Sequence, residues 1–217
     1  MDAKHRYQTP LVVEHAVDIL GEHNNYLGQV AKNHAMAGWS YERMDHAPTD
    51  PRVAESYKVL RLETLKQWDV LEESGLTVEF HDGERSYPSS AAMLTDLTLG
   101  HLWTLSTAST GELPEDHPML VPVGLWRSTQ HPLNDIFRAV HDAMGHGVSG
   151  GSFGPLGEFA AWRAHRRQYS QPALAALWCE TRGQSAWTNY YGNHSALRVI
   201  YRPFATQKAG WPPVGLV

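Results

Sequence analysis

Asn134-Asp-Ile-Phe-Arg-Ala-Val-His-Asp-Ala-Met-Gly-His146 is the stretch on which the reading of this chain turns. Ile136, Phe137, Val140 and Met144 recur at helical spacing, and Asn134 or Asp135 can supply an N-cap, so the segment predicts a helix with one apolar face. Its kernel, His141-Asp142-Ala143-Met144-Gly145-His146, sets two imidazoles and a carboxylate close together. A neutral imidazole binds a divalent transition metal well, and two of them with one carboxylate leave positions open for substrate or dioxygen. On an α-helix a spacing of five turns the second side chain by about 140 degrees, so His141 and His146 do not share a face. Their convergence therefore requires the helix to end between them, and Gly145 is the residue that permits this. Asp142 and His146 are one turn apart, which suits Asp142 as an acceptor that orients an imidazole. The alternative for the pair is two hydrogen-bonded histidines at a helix end.

Downstream, Gly147, Gly150 and Gly151 break the pattern, Pro155 to Tyr169 reads as a second helix, and Pro172 to about Tyr190 as a third. Glu158 and His165 are seven apart and project from one side of the second helix. They serve as alternative ligands, as support for a ligand, or as an ordinary polar face. On the third helix Glu180, Gln184 and Trp187 share a face, whereas Arg182 and Asn189 point elsewhere. Glu180 stands among Leu177, Trp178, Cys179 and Trp187, and a carboxylate in such surroundings must be paired, protonated or bound to a metal. A buried Glu-Arg pair and a metal-ligand role both satisfy that requirement. Cys179 reads as a small buried residue. Gly147-Val-Ser-Gly-Gly151 matches the serine-hydrolase elbow only formally, because a helix and not a strand precedes it. Gly151-x-x-Gly154-x-x-Gly157 fits either an anion cradle or a simple turn between helices.

Upstream, residues 10–38 read as helical, in one piece or two, and carry His15, His23 and His34. Asp50-Pro51 is a cap followed by a first turn. Val53, Tyr57, Leu60, Leu65, Trp68 and Leu71 then form the apolar stripe of an amphipathic helix that stops at Gly75, with Glu55, Lys58, Arg61 and Lys66 toward water. Leu76–Phe80 reads as a strand followed by an Asp82-Gly83 turn, Ser89-Ser90 as the cap of a helix over Ala91 to Leu97, and His101–Leu105 as a second strand. Residues 107–133, with four prolines, read as a long irregular connection, and Arg198–Tyr201 as an edge strand.

With 217 residues, 42% of them hydrophobic, the chain can bury a core of its own, and it shows no low-complexity tract. A net charge of -5 with no long basic run argues against broad nucleic-acid binding, leaving Arg163-Ala-His-Arg-Arg167 as a local basic patch. The single cysteine excludes an internal disulfide. No apolar run is long enough to span a membrane and no signal peptide is visible, which predicts a cytoplasmic protein.

His141-Asp-Ala-Met-Gly-His146 resembles the His-Glu/Asp-x-x-Gly-His metal motif of the pterin-dependent aromatic amino acid hydroxylases. In that family both histidines bind a non-haem iron(II), and a later helical glutamate completes a facial triad. The resemblance implies His141 and His146 as iron ligands, Glu180, in Leu177-Trp-Cys-Glu-Thr-Arg-Gly183, as the carboxylate, and dioxygen as co-substrate. Pterin is not carried over, because no pterin site can be placed on the sequence. The stretch from Asn134 to Tyr191 also resembles uncharacterised proteins encoded in actinobacterial and phage genomes, a likeness that carries no mechanism.

These readings predict a mainly α-helical single domain over residues 1–217 with a small two- or three-stranded β element and a metal site within 134–191. The expected ligands are His141, His146 and Glu180, with Glu158 and His165 as alternates. Asp142, Glu158, Arg182 and Gln184 are the expected catalytic or substrate-holding groups, with Asn189 and Tyr190 beside them. The function that follows is an iron(II) oxygenase acting on a small aromatic or amino-acid-like molecule. Its rivals are a zinc-dependent hydrolase with the same ligands and a non-enzymatic, phage-type accessory protein with a buried polar network.

Overall fold

Helix α1 occupies residues 33–43 and α2 Pro51–Glu73 in the computed structural model, which describes residues 33–81, 87–109, 113–126, 129–189, 207–213 and 215. Of the helix expected over residues 10–38, residues 33–38 belong to α1, and its remainder, the Asp82-Gly83 turn, Tyr190 and the edge strand at Arg198–Tyr201 lie outside the described residues. Asp50 caps α2 by accepting from Arg52 N at 2.8 Å, and the helix stops just short of Gly75, whose φ is 82°. Its buried face is the expected stripe, with Ser56 and Thr64 added and Leu65 at the margin.

Strand β1 (Thr77–His81), helix α3 (Ser90–Thr98) and strand β2 (His101–Leu105) follow. The two strands pair in parallel, from Thr77 opposite His101 to His81 opposite Leu105. Parallel neighbours need a crossover, and α3, capped by Ser89, lies within it.

Residues 107–133 are more ordered than their prolines suggest. They contain 3-10 turns at Thr107–Ser109 and Pro118–Leu120 and an antiparallel hairpin of β3 (Pro122–Trp126) and β4 (Thr129–Pro132). Pro122 and Pro132 face each other at the open end of the hairpin, and Pro118 starts a 3-10 turn, so these prolines sit where a missing N–H costs least. The β content is thus two separate two-stranded sheets on a mainly helical body.

Helix α4 (Leu133–His141) begins after Pro132 with no side-chain cap. Asn134 and Asp135 are instead buried and engaged elsewhere. Asp135 accepts from Thr107 N at 2.6 Å and Thr107 Oγ1 at 2.5 Å and pairs with His131 Nδ1 at 3.0 Å, while Asn134 Nδ2 donates to Thr107 Oγ1 at 3.0 Å. α4 runs on without a break into a π-helical turn, Asp142–Gly147. Helix α5 is Pro155–His165. The expected third helix is composite: α6 (Leu174–Trp178), a second π turn (Cys179–Gly183) and α7 (Gln184–Trp187).

One apolar core joins α2 to α4 and α6 through Leu60, Trp68, Phe137, Val140 and Leu177. A smaller cluster joins Tyr41 and Met44 to Trp162, Trp178, Cys179 and Ala186. No described helix is long and apolar enough to cross a membrane.

Replacing Asp135 by Ala leaves a buried backbone N–H and a hydroxyl without their acceptor. Denaturant unfolding of D135A is expected to show a loss of about 2–4 kcal/mol, whereas an unchanged midpoint would show that Asp135 does not hold the Thr107 turn to α4.

Candidate metal centre

The π turn changes how the two histidines relate. In a π-helix the backbone hydrogen bond spans five residues and not four, so residues five apart come to lie one over the other. His141 and His146 accordingly meet edge to face, with ring centroids 5.2 Å apart at 77°. The expectation that the helix must end at Gly145 is therefore corrected: the helix continues, wound wider. What Gly145 supplies is space, since a Cβ there would lie 3.0 Å from His141 Nδ1 and 3.3 Å from the Ala161 carbonyl of α5.

Each imidazole is fixed through Nδ1. His146 Nδ1 lies 2.9 Å from the Gly151 carbonyl, which can only accept, so the proton is on Nδ1 and the Nε2 lone pair is free. His141 Nδ1 lies 3.0 Å from His165 Nδ1, and His165 Nε2 lies 3.1 Å from the Gln67 amide oxygen. With Gln67 accepting, His165 donates from Nε2 and accepts at Nδ1. His141 then donates from Nδ1, and its Nε2 lone pair is also free. Metal-bound histidines are commonly oriented in this way through their second nitrogen. His165, considered as an alternate ligand, thus stands behind His141 with both nitrogens engaged.

The Gly151 carbonyl reaches His146 because the loop crosses the start of α5 at close range. A Cβ on Gly157 would lie 2.0 Å from Ser152 O and 2.2 Å from Ser152 N. This close approach accounts for the glycine there without an anion.

The carboxylate beside the two histidines is Glu158, held in reserve by the sequence, and not Glu180. Ligand atoms of His141, His146 and Glu158 all lie within 4.8 Å of one another, and Glu158 Oε1 is 3.6 Å from His146 Nε2. Donors around one ion at bond lengths of about 2.0–2.2 Å stand roughly 3.0–3.6 Å apart, so the residues present fit a metal after a small contraction. Burial, then the charges of His165 and His146, holds His141 well below the usual histidine range; burial alone lowers His146, against its bond to Gly151. Both rings are neutral at physiological pH, as a metal ligand must be. Burial and the charge of Asp142 push Glu158 up to about 8, so without a cation it holds a proton at neutral pH.

Glu180 lines the same cavity but has other partners. Tyr57 Oη donates to its Oε1, Gln207 Nε2 donates to its Oε2 at 2.8 Å, and His117 Nε2 approaches Oε1 at 3.5 Å. Burial raises it to about 7 against the pull of these hydrogen bonds. Arg182 is not its partner. That guanidinium donates to His34 Nδ1 at 2.5 Å and lies 4.6 Å over the Phe159 ring, outside the cavity wall. Burial lowers Arg182 to about 10. Its expected role in holding substrate is corrected to a buried structural one.

The cavity has a volume of about 660 Å³. Its wall includes the apolar Phe137, Leu105, Leu113, Trp103 and Phe153 and the polar Gln184, Ser185, Thr188 and Asn189. Gln184 is where the sequence placed it. Asn189, expected to face away, lines the cavity, and Trp187, expected on the face of Glu180, instead donates to Glu42. The second π turn shifts the helical phase between them. Asp142 also faces the cavity, and burial, offset by Arg138, raises it to about 7. It makes no ion pair with His146, so its expected orienting role passes to the Gly151 carbonyl.

Sequence reasoning missed Gln67, Tyr57, His117 and Gln207. Tyr57 was visible only as a stripe residue of α2, and nothing in the local pattern marks the other three. Comparison with known protein families, with curated proteins and with solved structures finds no match to this chain.

Gly157→Ala is expected to lower stability by about 1–3 kcal/mol through the clash with Ser152, read by thermal or denaturant unfolding. A variant as stable as the parent would mean that the crossing, and with it the hold on His146, is looser than described.

Proposed function

We propose that His141, His146 and Glu158 hold one divalent transition metal against the cavity, and that the chain is a mononuclear non-haem iron(II) oxygenase or hydroxylase acting on a small, apolar-bodied molecule. The observation that carries this reading is the pair of engaged Nδ1 atoms, which leaves two Nε2 lone pairs beside one carboxylate. Two histidines and a carboxylate with open positions opposite are the donor set of facial-triad iron sites. The bound ion would supply dioxygen activation at the cavity wall. The chain supplies the rest. Phe137, Phe153 and Leu105 keep water from the substrate, and Gln184, Ser185 and Asn189 orient its polar groups. His165 and Gln67 keep His141 in its ligating tautomer.

A zinc-dependent hydrolase is the second reading, favoured by one observation. Asp142, pushed up to about 7, is a cavity carboxylate suited to hold and release a proton near neutral pH. Metal analysis of protein purified without added metal, followed by oxygen uptake of the iron(II)-loaded form against small-molecule panels, separates the two. Bound zinc with no oxygen uptake overturns the oxygenase reading.

Equilibrium dialysis is expected to show one tight equivalent of metal per chain. H141A, H146A and E158Q each lose it, H165A weakens it by about 10–100-fold, and E180Q keeps it. Loss in E180Q with retention in E158Q contradicts the assignment. The pH dependence follows from Glu158, raised to about 8. Below that value binding must displace its proton, so affinity climbs by up to about tenfold per pH unit and levels off above about 8. The histidines, already neutral, add nothing within this window.

A further inference from the structure

Glu180 has no part in that reading, yet the fold builds a set of donors around it. Tyr57 of α2 and Gln207 of the C-terminal segment donate to its two oxygens. His117 Nδ1 accepts from Met119 N at 3.2 Å, so the proton of the neutral ring is on Nε2, which points at Glu180 Oε1 from 3.5 Å. Two donors from distant parts of the chain, Tyr57 and Gln207, thus hold one carboxylate, with the His117 N–H close by but short of a hydrogen bond, and hydrogen bonds of this kind favour the ionised form. The Glu180 side chain is 1% exposed and still contributes to the cavity wall.

A buried carboxylate needs a proton or a compensating cation, and Glu180, raised to about 7 by burial, is ionised at pH 8. Among the described residues no Lys or Arg forms an ion pair with Glu180. Arg138 is the cation whose field reaches it, but that guanidinium donates to the Leu105 carbonyl at 3.1 Å and its charge is also felt by Asp135 and Asp142. Arg182 is turned away to His34 and Phe159. A second metal ion fits poorly, since Tyr57 Oη, Gln207 Nε2 and His117 Nε2 present hydrogens toward this carboxylate and not lone pairs.

We propose that Glu180 receives the protonated amine of the cavity's substrate, so that the substrate class is an amine with an apolar body and not a carboxylic acid. The ammonium makes a charge-assisted hydrogen bond to a lone pair that Glu180 has left, and Gln184, on the wall of the same cavity, offers an amide oxygen. The hydrocarbon body packs against Phe137, Leu105, Leu113 and the stacked rings of Tyr87 and Trp103, whose centroids are 5.8 Å apart. A carboxylate head would meet Asp142 and Glu180 as like charges. The inference rests on the proposed function only in using the same cavity.

The test is calorimetric titration at pH 8 with hexylamine, 1-hexanol and hexanoate, probes with one hydrocarbon body and three heads. It is run on metal-free and zinc-loaded protein and on E180Q. Hexylamine is expected to bind at least about tenfold more tightly than 1-hexanol, with hexanoate weakest, and E180Q to bring hexylamine to the level of 1-hexanol. Equal binding of amine and alcohol by the parent, no binding of any probe, or an amine preference kept by a folded E180Q overturns the proposal. Should E180Q fail to fold by circular dichroism, the order of the three probes on the parent decides alone. The metal-free arm separates this outcome from failure of the metal reading, because an amine preference remains measurable in a chain that binds no metal.

Discussion

The wide turn at Asp142–Gly147 is the constraint on which the candidate centre depends. An α-helical turn would send His141 and His146 to different faces, and a helix that simply stopped would leave His146 on a loop. The π turn keeps both on a packed helix and stacks them. Such turns are less well hydrogen-bonded than α-helix and persist where surrounding contacts hold them. Here the contacts are specific. Gly145 lets α5 approach, Gln168 Nε2 donates to the Met144 carbonyl at 2.9 Å, and the Gly151 carbonyl holds His146 from the far side.

Helix α2, which contributes no proposed ligand, stands behind both halves of the cavity. Gln67 ends the chain of hydrogen bonds that sets the tautomer of His141, and Tyr57, nearly three turns earlier, donates to Glu180. The cavity's electrostatics follow from burial. Histidines are pushed toward the neutral form and carboxylates toward the protonated form, so Glu158 and Asp142 hold protons at higher pH than free carboxylates do. A bound cation reverses this for Glu158, which couples metal binding to proton release.

Much of the fold was legible because local signals agreed with tertiary ones. Asp50-Pro51 and the α2 stripe, Ser89 ahead of α3, and the short β-prone runs at β1 and β2 each carry their own physical reason. The hairpin of β3 and β4 was hidden because its prolines read as breakers, although they sit at strand ends. The site was half legible. The motif pointed to His141 and His146, but a π turn leaves no mark in hydrophobic periodicity, and its phase shift decides which residues face the cavity. The resemblance and the apolar neighbours both favour Glu180 over Glu158; that surrounding is real, yet Tyr57 and Gln207, distant in sequence, satisfy the carboxylate. The Gly151 carbonyl that orients His146 is backbone, and no residue type announces it.

In the proposed centre His141, His146 and Glu158 surround one point. A crystal structure of the metal-loaded protein, with an anomalous difference map at the metal's absorption edge, tests it most directly. One peak is expected about 2 Å from His141 Nε2, His146 Nε2 and a Glu158 oxygen, with Glu180 still bonded to Tyr57 and Gln207. A peak ligated by Glu180 in place of Glu158, or none near the π turn, would contradict it.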